Sequence, residues 1–542
     1  MIAEAPPSAS DLRYVQRARA VLVMGVSIVG ACAGGLVAGY LTDSGQFALL
    51  AMFLGLLLPV VFWLVPGAAI PLLVLCGAAI ARYSDPLSTV DFMARVPMWR
   101  SLNDAAHISG LYVMLIEVVL ALGLVTWIAR DGAARRLTLP RTDLAVSLAI
   151  LLGTALVAEV HGLLSHGDFK ISLYELRPFL YLATGYLLAS QTLRSRAALH
   201  AVLWALVLGV AYRAFIGVQL AQAYAGVYPK PNELLEHDES FFFGIYLVLT
   251  VALWTFNVRG WLRRVATALA PFVLYADVAN NRRAAWVILP AGLLVVAAVT
   301  WVRNPTRRTS INWVLAVLLI VGTAYVLAFR YSTSSIGFPA HAIWSNWQPD
   351  PRDASSNLYR LLENSALAAD IRSNLIVGTG FGLPFGHGQF SFDASSFDPL
   401  VFYIPHNTVF WVWVKMGIAG MFAFWWTMAV AVVAAARAAR HGDRQAGLFA
   451  ALAISAVAGY FFLGLVDVGL AAVRVALTVG CLLGAFEAAA CASQLQRAMK
   501  LDAPGAPVVI QRTAREPVAV ENAPAASVAA GSGRVHLGLH GR

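Results

Sequence analysis

The sequence predicts an all-α, polytopic membrane protein, and three observations carry that prediction. Of the 542 residues, 59% are hydrophobic and only 13% are charged, and the mean hydropathy is +0.70. Soluble chains are closer to about half apolar and a quarter charged. The apolar residues also fall in continuous runs of about 20, the length of a helix that crosses a hydrocarbon core. These runs lack period-two alternation, which favours helices over the strands of a membrane barrel.

About fourteen apolar runs have the length of a transmembrane helix. They fall at 19–41, 46–65, 68–82, 107–129, 143–163, 172–191, 198–217, 240–257, 262–279, 284–302, 312–330, 406–436, 446–466 and 471–492. The third run is short and contains Pro71. Because Pro66 and Gly67 interrupt this region, 46–82 holds either two spans or one broken or re-entrant element.

The spans divide the chain into five segments. Residues 1–18 precede the first span, 19–330 hold the first eleven spans, and 331–405 form a long loop. Residues 406–492 hold the last three spans. The tail 493–542 is rich in Ala, Pro, Gly and Val without periodicity, which is typical of a disordered segment.

The arginines predict how the chain is oriented in the membrane. They concentrate in alternate short loops, at Arg130, Arg135, Arg136, Arg141, Arg194, Arg196, Arg259, Arg263, Arg264, Arg303, Arg307, Arg308, Arg437, Arg440 and Arg444. By the positive-inside rule, both termini are cytoplasmic and the 331–405 loop is periplasmic. The net charge of +10 therefore reflects orientation, and no nucleic-acid partner is expected.

Ionisable residues within the spans lie mostly near their predicted outer ends. They are Glu159, Glu175, Arg177, Arg213, Asp277, Arg282, Arg283, His406, Asp467 and Arg474. Each such residue costs roughly 2.5–3.5 kcal/mol to insert, so the set predicts a polar cavity that opens at the outer leaflet. The alternative is that single members are interfacial side chains that reach toward water. A transporter would instead need polar groups near the midplane.

Two adjacent arginines in a short outer loop indicate an anionic partner. Arg282 and Arg283 follow Asn280 and Asn281 on the side where basic residues are otherwise scarce. The planar guanidinium group matches phosphate oxygens with two parallel hydrogen bonds. A lipid diphosphate is therefore a plausible ligand.

The long 331–405 loop contains structure of its own. N-cap residue types precede a stretch from Leu358 to Ile371 in which apolar residues recur at helical spacing. This pattern predicts an amphipathic helix on the outer surface of the bundle. The later glycines Gly378, Gly380 and Gly382 predict a tight turn whose backbone approaches either a substrate or a neighbouring helix.

His406 stands where the loop meets the next span. Histidine side chains can exchange protons near neutral pH, so His406 is a candidate catalytic base. The alternative is an ordinary helix-capping or interfacial histidine. Asn407 and Thr408 follow it, and an apolar run then leads to Gly417 and Gly420.

Two further stretches of the sequence, taken together with the motif around His406, resemble a known family. Arg360 on the predicted loop helix precedes Asn374 and the glycine turn, and Arg282 or Arg283 precedes an apolar span that begins at Ala284. Together the three stretches resemble the O-antigen ligase and O-antigen polymerase family of bacterial membrane glycosyltransferases. The many spans, the cytoplasmic termini and the long outer loop before the last spans are also similar to that family.

Three positions depart from the family pattern. Lys415 stands where an acidic residue is common, Asn364 where tryptophan is common, and Leu375 where proline is common. These departures bear on acceptor recognition and local packing more than on the class of enzyme.

The resemblance implies transfer of a glycan from undecaprenyl diphosphate to a hydroxyl of a second glycan, at the periplasmic face of the inner membrane. His406 is then the expected base. The backbone at Gly378, Gly380, Gly382 and Asn407 is expected near the substrate.

Arginines are expected to stabilise the departing lipid diphosphate electrostatically. The candidates are Arg282, Arg283, Arg360, Arg177 and Arg213. Direct displacement would invert the anomeric centre, and arginines in place of a metal make a metal-independent, cofactor-free reaction the expectation.

The acceptor separates the possible activities. The preferred prediction is a polymerase of surface polysaccharide, because the chain has an extra pair of spans relative to a compact ligase. The alternatives are an O-antigen ligase that uses lipid A core as acceptor and a protein O-oligosaccharyltransferase. A lipid-linked oligosaccharide flippase or transporter is the competing class, but the sequence shows neither a polar path through the inner halves of the spans nor an internal repeat.

Overall fold

The computed structural model describes residues 57–82, 88, 91, 93–106, 109–227, 234–332, 334, 336–386 and 400–501. The predicted span 19–41, most of 46–65, the segment 1–18 and the tail beyond 501 lie outside these residues.

Within the described residues the secondary structure is helical throughout, with no β-strand. The helices are α1 Leu57–Leu64, α2 Ala69–Ala79, α3 Leu102–Ala106, α4 Leu115–Ala133, α5 Asp143–Leu164, α6 Phe169–Thr192, α7 Arg196–Ala223, α8 Glu239–Thr255, α9 Trp261–Asn280, α10 Ala285–Arg303, α11 Arg308–Phe329, α12 Phe338–Trp344, α13 Pro351–Ser373, α14 Thr408–His441, α15 Arg444–Val466 and α16 Val473–Leu501.

Each predicted span from 68–82 onward coincides with a helix. Among the described residues, seven helices are long and apolar enough to cross a membrane: α5, α7, α10, α11, α14, α15 and α16. Helix α8 has only 17 residues, and α4 and α9 each carry three charged residues. The prediction of an all-α membrane protein is thus supported, whereas the count of about fourteen spans stays a prediction.

The helix is interrupted at the predicted proline–glycine pair, Pro66 and Gly67. Helix α1 and the segment Pro66–Ala79 meet at a bend of 119°, as in a broken span or a re-entrant loop. A Cβ at Gly67 would lie 3.1 Å from the Ala198 side chain, so the bend also brings the chain close to α7. Counted as one span, this pair raises the number of candidate spans to eight.

Small residues allow α16 to pack closely on α6 in the core of the bundle. A Cβ at Gly480 or Gly484 would collide with the backbone of Leu182 or Tyr186. Small residues commonly let membrane helices approach in this way. Helix α11, by contrast, has no buried residue between Arg308 and Phe329, so it lies at the periphery.

Polar contacts gather at two opposite ends of the bundle. At one end Arg194 pairs with Asp131 at 2.5 Å and Arg196 pairs with Asp443 at 3.3 Å. We call the other end, where α9 and α15 end and α14 and α16 begin, the site end. It holds His406 and the charged residues described next.

Candidate active site

A buried glutamate of α13 holds His406 at the start of α14. Glu363, which is 1% exposed, accepts hydrogen bonds from the His406 backbone N–H at 2.9 Å and lies 3.2 Å from its Nδ1. The Tyr359 ring meets the imidazole edge-on at 5.6 Å. The His406 side chain remains 30% exposed, so the imidazole is oriented by protein while one side of it stays accessible.

Asn407 caps α14 and ties it to the same loop helix. Its side-chain oxygen accepts from the Phe410 N–H at 3.2 Å, and its Nδ2 donates to Asn364 Oδ1 at 3.1 Å. Satisfying a free N–H of the first turn in this way stabilises the start of the helix. Glu363 and Asn364 of α13 therefore hydrogen-bond to His406 and Asn407 at the start of α14, which fixes the position of His406.

Three of the predicted arginines line one cavity at the site end. Arg282, Arg283 and Arg360 surround a space of about 100 Å³ that is also bordered by Asp467. Arg283 Nη1 donates to Asn357 Oδ1 at 3.2 Å. The Nε of Arg360 is buried without a hydrogen-bond partner among the described residues. We call this space the arginine cavity.

Asp467 connects the arginine cavity to a second histidine, His237. Its Oδ2 lies 2.6 Å from His237 Nδ1, and that nitrogen lies 3.0 Å from Arg282 Nη1. Burial alone would raise the pKa of Asp467, but the hydrogen bond with His237 and the nearby charge of Arg282 hold it below its ordinary value. The carboxylate is thus ionised and balances the positive groups around it.

A second, larger cavity lies on the other side of Asp467. It has a volume of about 270 Å³, and its lining includes Trp99, Glu236, His237 and Ile404. Since Asp467 alone among the described residues borders both cavities, the aspartate forms part of the wall between them.

Arg177 and Arg213 lie at the site end but line neither cavity. Arg177 Nε pairs with Glu117 at 2.7 Å. Arg213 pairs with Asp91 at 2.8 Å and with Glu239 at 2.9 Å, with all three side chains buried. These ion pairs indicate a structural role, and diphosphate binding by Arg177 and Arg213 stays a prediction.

Three carboxylates at the start of α8 have a spacing that could hold a metal ion. Oxygen atoms of Glu236, Asp238 and Glu239 lie within 4.8 Å of one another. Arg474 contacts all three, at 2.9, 3.1 and 3.0 Å. Its guanidinium group supplies the positive charge that such a cluster requires, so the arrangement is an ion-pair network.

The glycine turn packs against neighbouring helices. Gly378, Gly380 and Gly382 have φ values of 78°, 84° and 79°, a region that L side chains rarely adopt. Gly380 N–H donates to the Lys415 carbonyl at 3.0 Å. A Cβ at Gly380 would also collide with the backbone of Gly162. Of the two roles predicted for this turn, the structure displays the approach to helices, and proximity to a substrate stays a prediction.

Lys415 anchors this turn through a buried ion pair. Its Nζ lies 2.9 Å from Glu175 Oε1, and both side chains are fully buried. The Lys415 Nζ also donates to the Leu383 carbonyl, and Gly382 N–H donates to the other Glu175 oxygen. The lysine that departs from the family pattern thus holds the glycine segment onto α6.

Sequence reasoning missed Glu363, His237 and the bridging role of Asp467. Glu363 follows Arg360 by three residues, a spacing that places both side chains on one face of a helix. The sequence therefore contained a signal that Glu363 belongs to the same site as Arg360. His237 carried no such signal, because its partner Asp467 is 230 residues away.

The apolar helices define the class of this chain, a multi-pass membrane protein. Residues 265–425 match the family model described as O-antigen ligase. The match runs from α9 into α14 and so contains Arg282, Arg283, Arg360 and His406. This match over part of the chain supports the predicted resemblance to that family and indicates a ligase- or polymerase-type role in surface polysaccharide assembly. No curated protein matches the chain.

Proposed function

We propose that this protein is a metal-independent, inverting glycosyltransferase that polymerises a surface polysaccharide. It would move a glycan from undecaprenyl diphosphate to a sugar hydroxyl at the periplasmic face of the inner membrane. The observation that carries the proposal is that α13 supplies both Glu363, the partner of His406, and Arg360, three residues earlier, which lines a cavity with Arg282 and Arg283.

His406 acts as the general base in this mechanism. When Nδ1–H donates to Glu363, the neutral imidazole has an unprotonated Nε2 that can accept a proton. An acceptor hydroxyl is a weak acid, so removing its proton as the new bond forms lowers the barrier. Glu363 then stabilises the imidazolium ion that results.

The arginine cavity stabilises the leaving group. The acceptor oxygen forms a bond to the anomeric carbon while the bond from that carbon to the diphosphate oxygen breaks, and the electron pair leaves with the diphosphate. Arg282, Arg283 and Arg360 would meet the charge that develops on it. Attack opposite the leaving group inverts the anomeric centre.

An apolar groove beside the arginine cavity suits a polyprenyl chain. It has a volume of about 560 Å³, and its lining includes Leu274, Tyr325 and Ile336. Trp286 of the groove follows Arg283 by three residues, and Pro339 follows a residue that lines the arginine cavity. Apolar and cationic surfaces that adjoin in this way match a lipid with an anionic head group.

The charge distribution supports the proposed orientation. The basic loops at the opposite end, which include Arg194, Arg196 and Arg440, favour the cytoplasmic side. Both termini would then be cytoplasmic and the site end periplasmic. A cysteine introduced at Trp347, which is 70% exposed, should react with a membrane-impermeant maleimide in spheroplasts.

Product analysis tests the activity. Purified protein in lipid nanodiscs would receive the lipid-diphosphate glycan isolated from the source bacterium, with and without rough lipopolysaccharide. We expect a ladder of repeat units. A single addition to lipopolysaccharide would instead establish a ligase, and no transfer under either condition would refute the proposal. His406→Ala should abolish transfer, whereas His441→Ala at the opposite end should not.

A further inference from the structure

We propose that the second cavity binds one sugar ring of the acceptor glycan. This assignment rests on the glycosyl transfer proposed above and adds the place of the acceptor. The cavity volume of about 270 Å³ equals the liquid volume of roughly nine water molecules. That is room for a single ring with the rest of the glycan extending into solvent.

The position of the cavity meets the geometric demand of an inverting displacement. The nucleophile must approach from the side opposite the diphosphate, so acceptor and leaving group need separate subsites on either side of the reacting carbon. Asp467 separates the second cavity from the arginine cavity. Ile404 lines the second cavity two residues before His406, and Glu363, which contacts His406, follows Arg360 of the arginine cavity by three residues on α13. The base is therefore placed near the boundary between the two spaces.

The chemistry of the lining fits an uncharged polar ring. Trp99 is 1% exposed, and its Nε1 is buried without a hydrogen-bond partner among the described residues. A buried donor without a partner is costly, and a sugar hydroxyl oxygen would satisfy it. Leu400, Ile404 and Leu463 offer apolar surface to the C–H face of the ring.

The charges of the lining argue for a neutral ligand. Glu236 and Asp238 are matched by Arg474, and Asp467 lies 2.6 Å from His237. Arg82, the other arginine of the lining, stacks on the Tyr174 ring at 5.6 Å. A charged ligand would disturb these pairs, and an isoprenoid chain would leave the Trp99 N–H unsatisfied. A neutral sugar has both the hydroxyl groups and the apolar face that the cavity can accommodate.

Two substitutions in the cavity and one matched control test the assignment. Trp99→Phe removes the N–H but keeps an aromatic ring, and Ala472→Phe fills space in the cavity. Trp413→Phe is the control, because the Trp413 Nε1 is also buried without a partner in the described part of the chain but borders neither cavity. Transfer would be measured in nanodiscs with the source lipid-diphosphate glycan as donor. The soluble oligosaccharide released from it by mild acid would be the acceptor.

We expect Trp99→Phe to raise the acceptor KM about fivefold, the effect of losing one neutral hydrogen bond. Ala472→Phe should raise it further and abolish saturation-transfer NMR signals from the soluble oligosaccharide. The donor KM should stay within twofold in both variants, and Trp413→Phe should match the wild type. An unchanged acceptor KM in both cavity variants, or a rise in the donor KM alone, would overturn the assignment while leaving the proposed transfer intact. A wild-type protein that transfers nothing would overturn both.

Discussion

Replacing Glu363 with glutamine should slow glycan transfer without weakening donor binding. The amide cannot supply the negative charge that the imidazolium ion needs after proton transfer. In the native pair, the two carboxylate oxygens of Glu363 face the backbone N–H and the Nδ1 of His406. A glutamine would replace one of these oxygens with an NH2 group, which is a donor. The Glu363→Gln variant thus loses a charged acceptor. Its amide NH2 would face either the His406 backbone N–H, with which it cannot pair, or Nδ1, which would then accept and leave the proton on Nε2, where the base is needed.

The size of the effect follows from these contacts. A hydrogen bond to a charged group contributes about 1.5–3 kcal/mol. Each 1.36 kcal/mol corresponds to a factor of about ten in rate, so kcat should fall roughly 10- to 150-fold. The donor KM should stay within about twofold, because Glu363 does not line the arginine cavity.

The assay is transfer kinetics in nanodiscs, paired with thermal unfolding to detect any loss of fold. Asp370→Asn is the matched control on the same helix, since its carboxylate accepts from the Gly386 N–H at 2.8 Å and is not a hydrogen-bond partner of His406. We expect Asp370→Asn to retain kcat within about twofold. A Glu363→Gln variant that turns over at the wild-type rate would refute the role of this pair, as would a loss fully explained by unfolded protein.

Three further predictions follow from the other contacts. Arg360→Ala should raise the donor KM about tenfold by removing a charged hydrogen-bond donor, whereas the exposed Arg372→Ala should leave the donor KM unchanged. Lys415→Met should cost about 3–5 kcal/mol of stability by leaving the Glu175 carboxylate unpaired, and a second substitution, Glu175→Gln, should recover part of the melting temperature. The lowered pKa of Asp467 means that its contribution to stability is present above the unfolded value of about 3.9 and is lost as pH falls below it. The difference in melting temperature between wild type and Asp467→Asn should therefore shrink from pH 7 to pH 3.

The helices could be predicted because each depends on local sequence. The run at 143–163 became α5 at Asp143–Leu164, and the pair Pro66 and Gly67 marked a real break. Apolar length and helix-breaking residues are properties of neighbouring positions, which a single sequence displays directly. The number of helices that cross the membrane is harder to predict, because buried charges lower the hydropathy of helices such as α6.

The residues of the site were only partly predictable. A residue's position in the sequence shows which end of a helix it lies at, but not which side chains of other helices it contacts. Arg282 and Arg360 share a cavity, whereas Arg177 and Arg213 found carboxylate partners on other elements. A guanidinium group buried in a membrane protein needs a countercharge, and the nearest available one depends on tertiary packing. The Glu363 partner of the histidine likewise lies 43 residues away in the chain.

The distribution of charge along the central helices favours chemistry at one end over transport through the bundle. Helix α15 has no Asp, Glu, Lys, Arg or His between Arg444 and its C-cap Asp467, and α16 has none between Arg474 and Glu487. A carrier of a charged lipid glycan would need charged or strongly polar groups near the midplane, and the one polar side chain at the middle of α15, Ser455, already donates to the Gly292 carbonyl. Because the candidate base and the arginine cavity both lie at the site end, the transfer proposed above would use a lipid-linked glycan that is already on that side of the membrane.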